Sequence, residues 1–297
     1  MKLLPRKSDL PEPSSRGGLA ALERRIASHV VINGLQLDVT PLILCVVGRT
    51  GEGKSFNIRE ILKRSGIAIH EISSAALAHH KEGMALYPMI RTYRDASAGL
   101  TEDALSVVLL DDIDRSIASD YAHSGHTMHS QLLTGLLMDL CDDPYQIPHE
   151  DSRLLCDVQR VPIIFTANKV TGLDPALCRP QRMGIFAYEL DPCDRQAICE
   201  RILLVDGAGM RSCLSKSDVK VLLRKYPDEP VAFFADAIGR FWGEACCRFL
   251  TEVQGKRLGR AELSAWLAKE VAKLDQRTAL RIAHDERMHR ETARRST

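Results

Sequence analysis

The 297 residues carry 40 Lys and Arg against 39 Asp and Glu, a formal net charge of +1 that gives no global electrostatic reason to expect nucleic acid as a partner. Apolar residues make up 45% and charged residues 27%, as in an ordinary globular chain of about two domains, and no run approaches the ~18 apolar residues of a membrane span. The start, Met1-Lys2-Leu3-Leu4-Pro5-Arg6-Lys7, lacks the apolar centre of a secretory signal, and nine cysteines without a C-x-x-C pair suggest neither a zinc site nor a disulfide framework. Reduced thiols and a cytoplasmic setting are the expectation.

Residues 1–18 are read as a flexible segment, because 5–18 are rich in Pro, Ser, Gly and charge. A helical pattern follows from Leu19 to Val30. Leu42–Val47 is then an apolar, β-prone run of the kind a buried parallel strand needs. It leads directly into Gly48-Arg49-Thr50-Gly51-Glu52-Gly53-Lys54-Ser55, which fits the phosphate-loop pattern G-x-x-x-x-G-K-[ST]. Phe56 to Arg64 reads as a helix with Ile58, Ile61 and Leu62 on one face. Strand, glycine loop and helix start aim backbone N–H groups and a helix dipole at one anion. The nucleotide-binding set is therefore Gly48, Thr50, Gly51, Glu52, Gly53, Lys54, Ser55 and Phe56. Lys54 supplies charge at the β/γ oxygens and Ser55 a hydroxyl for Mg²⁺.

Four more strand-like runs follow, Ile67–Ile72, Val107–Leu110, Pro162–Thr166 and Ile185–Leu190, separated by helical patterns. Alternation of this kind argues for a parallel α/β sheet covered on both faces. Val107–Leu110 ends in Asp111-Asp112. Asp111 is expected beside Mg²⁺, and Asp112 beside an attacking water that it orients or deprotonates. The run Val161–Ala167 ends in Asn168, whose amide suits either a γ-phosphate contact or a turn at a strand end. Leu173-Asp174-Pro175-Ala176-Leu177-Cys178-Arg179-Pro180-Gln181-Arg182 follows after a short connection.

After Asp191-Pro192 only helices are expected: Arg195–Val205, Lys216–Lys225, and a longer one from Pro230 to about Leu250. The longer one carries a stripe of Phe233, Phe234, Ala237, Ile238, Phe241 and Trp242. The stretch 254–297 holds eleven Lys/Arg and six Asp/Glu, a formal +5, with Leu263, Leu267, Val271 and Leu274 as one helical stripe. Beyond Arg281 its apolar residues thin out, as in a solvated helix fraying into a tail; a partner-docking or anion-binding arm is the functional alternative.

In this order the motifs resemble the AAA+ ATPases. The resemblance implies Walker A at Gly48–Ser55, Walker B at Asp111/Asp112, sensor 1 at Asn168, arginine fingers at Arg179 and Arg182, and sensor 2 at Arg240. Gln181 stands where glycine is usual between the two arginines, and Ile238 where a second lid arginine is usual. Pro41–Leu44 into Gly51–Phe56, Arg160–Asn168, and Tyr226-Pro227 with Phe233-Phe234 look like the Rubisco activase branch. The implied fold is an α/β P-loop NTPase core with a five-stranded parallel sheet, order 5-1-4-3-2, plus an all-helical lid. The implied boundaries are 1–18, 19–191, 192–253 and 254–297.

The implied activity is hydrolysis of ATP with Mg²⁺ by a homo-oligomeric ring, a hexamer, that remodels a client protein. The client is unidentified, Rubisco is one candidate, and neither nucleic acid nor membrane is expected. Two readings stand beside it, an ATP-binding switch with little turnover and a nucleic-acid-associated regulator. By position, the resemblance puts pore loops at Ala78–Gly83 and Ala122–Thr127. His79, His80, His123 and His126 there are read as polar pore surface, since a metal site needs converging geometry.

Overall fold

The computed structural model describes residues 15–73, 77, 86–114, 126–148, 154–171, 173–204, 214–252, 260–271 and 274–295. Both expected pore loops fall largely outside this set, at residues 78–83 and 122–125. The chain divides into two compact units. One gathers the described residues up to Thr50 with Lys54–Glu189, and the other gathers Gly51–Gly53 with the described residues from Leu190 onward.

In the first unit, the apolar runs become strands where neighbours bury both faces. The strands are β1 (Ser15–Gly17), β2 (Ile43–Val47), β3 (Ala68–Ile72), β4 (Ser106–Leu110), β7 (Ile163–Ala167) and β8 (Met183–Tyr188), with β5 (Gln146–Pro148) and β6 (Leu155–Asp157) forming a separate antiparallel pair. The sheet order is β1-β8-β2-β7-β4-β3 and every pairing is parallel. Taken without β1, this is 5-1-4-3-2 for the five expected strands. β1 is a sixth strand, inside the segment expected to be flexible: its backbone pairs with Phe186–Tyr188 of β8. Its own residues are polar or small, so no apolar run announces it.

β4 and β7 are buried throughout, as are the first four residues of β2, whereas the outer strand β3 has polar, partly exposed positions. Burying each large aliphatic side chain contributes about 1.5–3 kcal/mol relative to exposure. Helices α1 (Leu19–Gly34), α2 (Lys54–Arg64), α3 (Leu86–Ala98) and α4 (His126–Asp142) belong to the same unit. On α1, the buried His29 ring reaches the Ile163 carbonyl at 3.2 Å, and Asn33 accepts from the buried Arg160 guanidinium at 2.7 Å. Arg160 also donates to Asp38 and, at 2.7 Å, to the Thr40 carbonyl, which fixes the approach of the chain to β2.

The second unit contains α5 (Pro192–Leu204), α6 (Lys216–Lys225), α7 (Val231–Glu252), α8 (Arg260–Val271) and α9 (Gln276–Arg295). α6 starts where Ser215 and Asp218 form a reciprocal capping box. Phe233, Phe234, Ala237 and Phe241 of α7 share a core with Leu222, Leu274, Ala279, Ile282 and Ala283.

This core changes the reading of residues 254–297. The expected boundary at 253 is not where the structure divides, and no fraying tail starts at Arg281, because α9 buries Ile282, Ala283 and Glu286 and runs on to Arg295. The expected single stripe is also interrupted: Leu263, Leu267 and Val271 lie on α8, Leu274 lies in the connection, and Asp275 caps α9 by accepting from the Thr278 N–H at 2.8 Å.

Three of the six arginines of α9 are paired with neighbouring carboxylates. Arg281 pairs with Glu244 and Asp285, Arg287 with Glu229 and Glu291, and Arg290 with Asp236 and Glu286. Among the described residues no helix is long and apolar enough to cross a membrane.

Candidate nucleotide site

The loop Gly48–Ser55 leaves the end of β2 and enters α2. Its first turn is tight: the Gly48 N–H donates to the Ala167 carbonyl at 3.2 Å, and a Cβ on Gly48 would lie 2.6 Å from the Tyr188 carbonyl oxygen. Gly51 and Gly53 have φ of 81° and 80°, left-handed conformations that glycine adopts without steric cost. Thr50 and Phe56 are exposed, Glu52 is nearly buried, and Lys54 is only 6% exposed. The Lys54 ammonium donates to the carbonyls of Gly48 at 2.8 Å and Arg49 at 3.0 Å, and to Asn168 Oδ1 at 3.0 Å. Buried charge of this kind is tolerable because acceptors surround it.

The second cluster converges on Asp111, just past β4. Ser55 Oγ and Thr166 Oγ1 both donate to Asp111 Oδ1, the latter at 2.5 Å, while Arg59 Nη2 donates to Oδ2 at 2.8 Å. Burial alone would raise the Asp111 pKa, but the three donors outweigh it and hold the carboxyl below its usual value. Thr166 Oγ1 in turn accepts the Asp112 N–H at 2.9 Å. Asp112 has φ of 51°, a left-handed conformation that Asp tolerates better than most residues. Asn168 is tied in from its backbone, its N–H donating to Asp114 Oδ2 at 3.1 Å.

Five of the expected residues, Lys54, Ser55, Asp111, Asp112 and Asn168, are thus brought together by the ends of adjacent strands and the start of α2. Thr166, Arg59 and Asp114 were not anticipated. Thr166 carried a signal, a lone hydroxyl in the fully apolar run Ile163–Ala167. Arg59 and Asp114 carried none, because each acts through a partner distant in sequence.

The two candidate fingers part company. Arg179 is exposed and its side chain has no partner among the described residues. Arg182 forks onto Asp142, with Nε to Oδ1 at 2.9 Å and Nη2 to Oδ2 at 2.5 Å, and donates to the Ala176 carbonyl at 3.1 Å. Within a single chain, then, the Arg179 side chain is unengaged among the described residues, while the Arg182 charge is answered by Asp142. In the helical unit, Arg240 donates from Nε and Nη2 to Glu286 Oε2 at 3.1 and 3.0 Å.

The Ser55 hydroxyl and the Asp111 carboxylate, in direct contact, are hard oxygen donors of the type Mg²⁺ prefers, so this pair fits the metal implied by the motif. Among the described residues no cluster of three or more His, Cys, Asp or Glu forms another metal site.

Residues 44–189 match the family model described as "ATPase family associated with various cellular activities (AAA)". These residues form an AAA ATPase domain, and over most of its length the chain is similar to the Rubisco activase branch of that family. Similar proteins are the ribulose bisphosphate carboxylase/oxygenase activase of Anabaena sp., 28% identical over 77% of this chain and 54% of the relative, and that of Nostoc sp., 27% identical over 79% and 56%. The chloroplastic activase of Phaseolus vulgaris is 26% identical over 80% of this chain and 53% of its own length. The chain thus spans just over half the length of these curated relatives. In the AAA domain of this chain, the phosphate loop, Asp111 and Asn168 all lie within the matched residues.

Proposed function

We propose that the chain hydrolyses ATP as an AAA+ motor that assembles into a hexameric ring and remodels a client protein. The observation that carries this reading is the convergence of Ser55 and Thr166 on Asp111, with Lys54 hydrogen-bonded to Asn168 beside them. In this reading Gly48–Phe56 bind the triphosphate, and Lys54 moves from its loop carbonyls to the β/γ oxygens. Ser55 and Asp111 hold Mg²⁺, which when bound neutralises charge on the phosphate oxygens. Asp112 orients and deprotonates water, and Asn168 reports the γ-phosphate to the strand ends.

Arg179 is the arginine offered in trans, stabilising charge at the transferring phosphoryl group of the neighbouring site. Arg240 senses nucleotide from the helical lid. The similarity to activases makes ribulose bisphosphate carboxylase/oxygenase one candidate client, and the pairing of Arg281, Arg287 and Arg290 with carboxylates weakens the case for nucleic acid. A cytoplasmic setting is part of this reading.

Steady-state ATPase activity measured across protein concentration tests the reading. Turnover per chain should rise with assembly and vanish in Lys54→Ala; activity independent of concentration would overturn the ring. A second reading, an ATP-binding switch with little turnover, draws support from the ion pair that Arg59 makes with Asp111. It predicts tight nucleotide binding with almost no phosphate release at any concentration.

A further inference from the structure

Asp111 has no idle oxygen. Oδ1 takes the hydroxyls of Ser55 and Thr166, and Oδ2 is ion-paired with Arg59 on α2. Arg59 is also shared: its Nε donates to Glu71 Oε2 at 3.1 Å, and Nη2 contacts Glu71 Oε1 as well as Asp111. Glu71 lies in β3 and Asp111 follows β4, the adjacent strand, with Glu71 in register with Leu109. The guanidinium thus reaches across two strand ends. It has one carboxylate that faces the phosphate loop and one that does not. All three side chains are partly exposed, at 30% for Arg59, 38% for Glu71 and 25% for Asp111, so small movements of Arg59 need no core rearrangement.

We infer that Arg59 is a positioning residue that competes with the metal ion for Asp111, and that Glu71 is the alternative carboxylate onto which Arg59 withdraws when the metal binds. The inference rests on the reading of Asp111 as the metal-facing carboxylate. A cation and Mg²⁺ on the same carboxylate repel each other, while Glu71 offers the guanidinium a second planar, bidentate partner of equal charge. The pair sets the Mg²⁺ concentration at which the site closes on nucleotide.

The two partners must therefore act with opposite sign. The full-length chain is titrated with MgCl₂ at saturating ADP, and with Mn²⁺ followed by electron paramagnetic resonance, so that no turnover is needed. Arg59→Ala should lower the half-saturating metal concentration by about three- to tenfold. Glu71→Gln should raise it, because Arg59 then stays on Asp111. The double variant should match Arg59→Ala, since Glu71 acts only through Arg59. Arg59→Lys keeps the cation and should stay close to the parent, whereas a purely geometric role for the guanidinium fork would make it resemble Arg59→Ala. If Arg59→Ala does not fold, Arg59→Met keeps the aliphatic stem and serves in its place.

Shifts of the same sign in the two single variants, no shift in either, or a Glu71→Gln effect that persists without Arg59 would overturn the inference. Failure of the parent chain to bind ADP with Mg²⁺ would instead overturn the reading of the site itself, and the inference with it.

Discussion

Lys54 and Asn168, 114 residues apart, are joined by a hydrogen bond of 3.0 Å from ammonium to amide oxygen. The residue expected to hold the phosphates and the one expected to report on them are mechanically one unit, because moving the ammonium releases the amide. Lys54→Ala should abolish nucleotide binding. Asn168→Ala should leave affinity nearly intact but lower kcat by about 10²-fold, as for loss of one preorganised polar contact. Binding isotherms beside steady-state rates separate the two.

Arg179 and Arg182 should no longer behave as a pair. Arg179→Ala is expected to eliminate ATPase activity while retaining ATP binding, and its activity should be restored in part by mixing with Lys54→Ala chains, which still supply Arg179 to a neighbour. Arg182→Ala breaks the fork onto Asp142 and should mainly lower stability, by about 1 kcal/mol at this partly exposed pair. Urea midpoints and mixing experiments distinguish these outcomes.

Asp112 tests the backbone. With φ of 51°, Asp112→Asn should fold normally, since Asn also tolerates the left-handed region, and should retain ATP while blocking hydrolysis. Asp112→Val adds a β-branched side chain at the same conformation and should cost about 1–3 kcal/mol. Equal stability of the two variants, measured by denaturation, would show that the backbone relaxes freely there. The Asp112→Asn chain is also the form to use for client capture.

His29 predicts acid sensitivity. Its pKa is lowered from 6.5 to about 3, chiefly by burial, so it stays neutral in the folded chain. As pH falls below the unfolded value of about 6.5, the unfolded state takes up the proton first, and stability is lost progressively toward the folded value. By about pH 5 the loss should reach about 2 kcal/mol from this group. His29→Gln should flatten that part of the profile, read as unfolding free energy against pH.

Much of this site is written locally in the chain. Val107–Leu110 must be buried, so Asp111 must emerge at a strand end, and the glycine spacing before Lys54 requires a phosphate-sized loop. The engagement of Arg182 was not legible, because its carboxylate, Asp142, lies 40 residues away on another element, and the same holds for Arg59 with Glu71. The division between α8 and α9 was half legible: Leu263 to Leu274 keep helical spacing past the end of α8, while Asp275 is a capping residue that signals a new start. The charge count of the final stretch could not show that the carboxylates answering Arg281 and Arg290 sit on α7 as well as on α9 itself.

The three-residue strand at Ser15–Gly17 has a practical consequence for any study of assembly. It occupies the outer hydrogen-bonding edge of β8, and a Cβ on Gly17 would come within 2.5 Å of Ala21, so the cover is closely fitted. Trimming the chain past residue 17 would bare a row of unsatisfied backbone groups along β8, an invitation for copies to join edge to edge. Particles formed that way would be counted as oligomers yet would owe nothing to nucleotide, so sizing experiments are meaningful only on chains that keep these three residues.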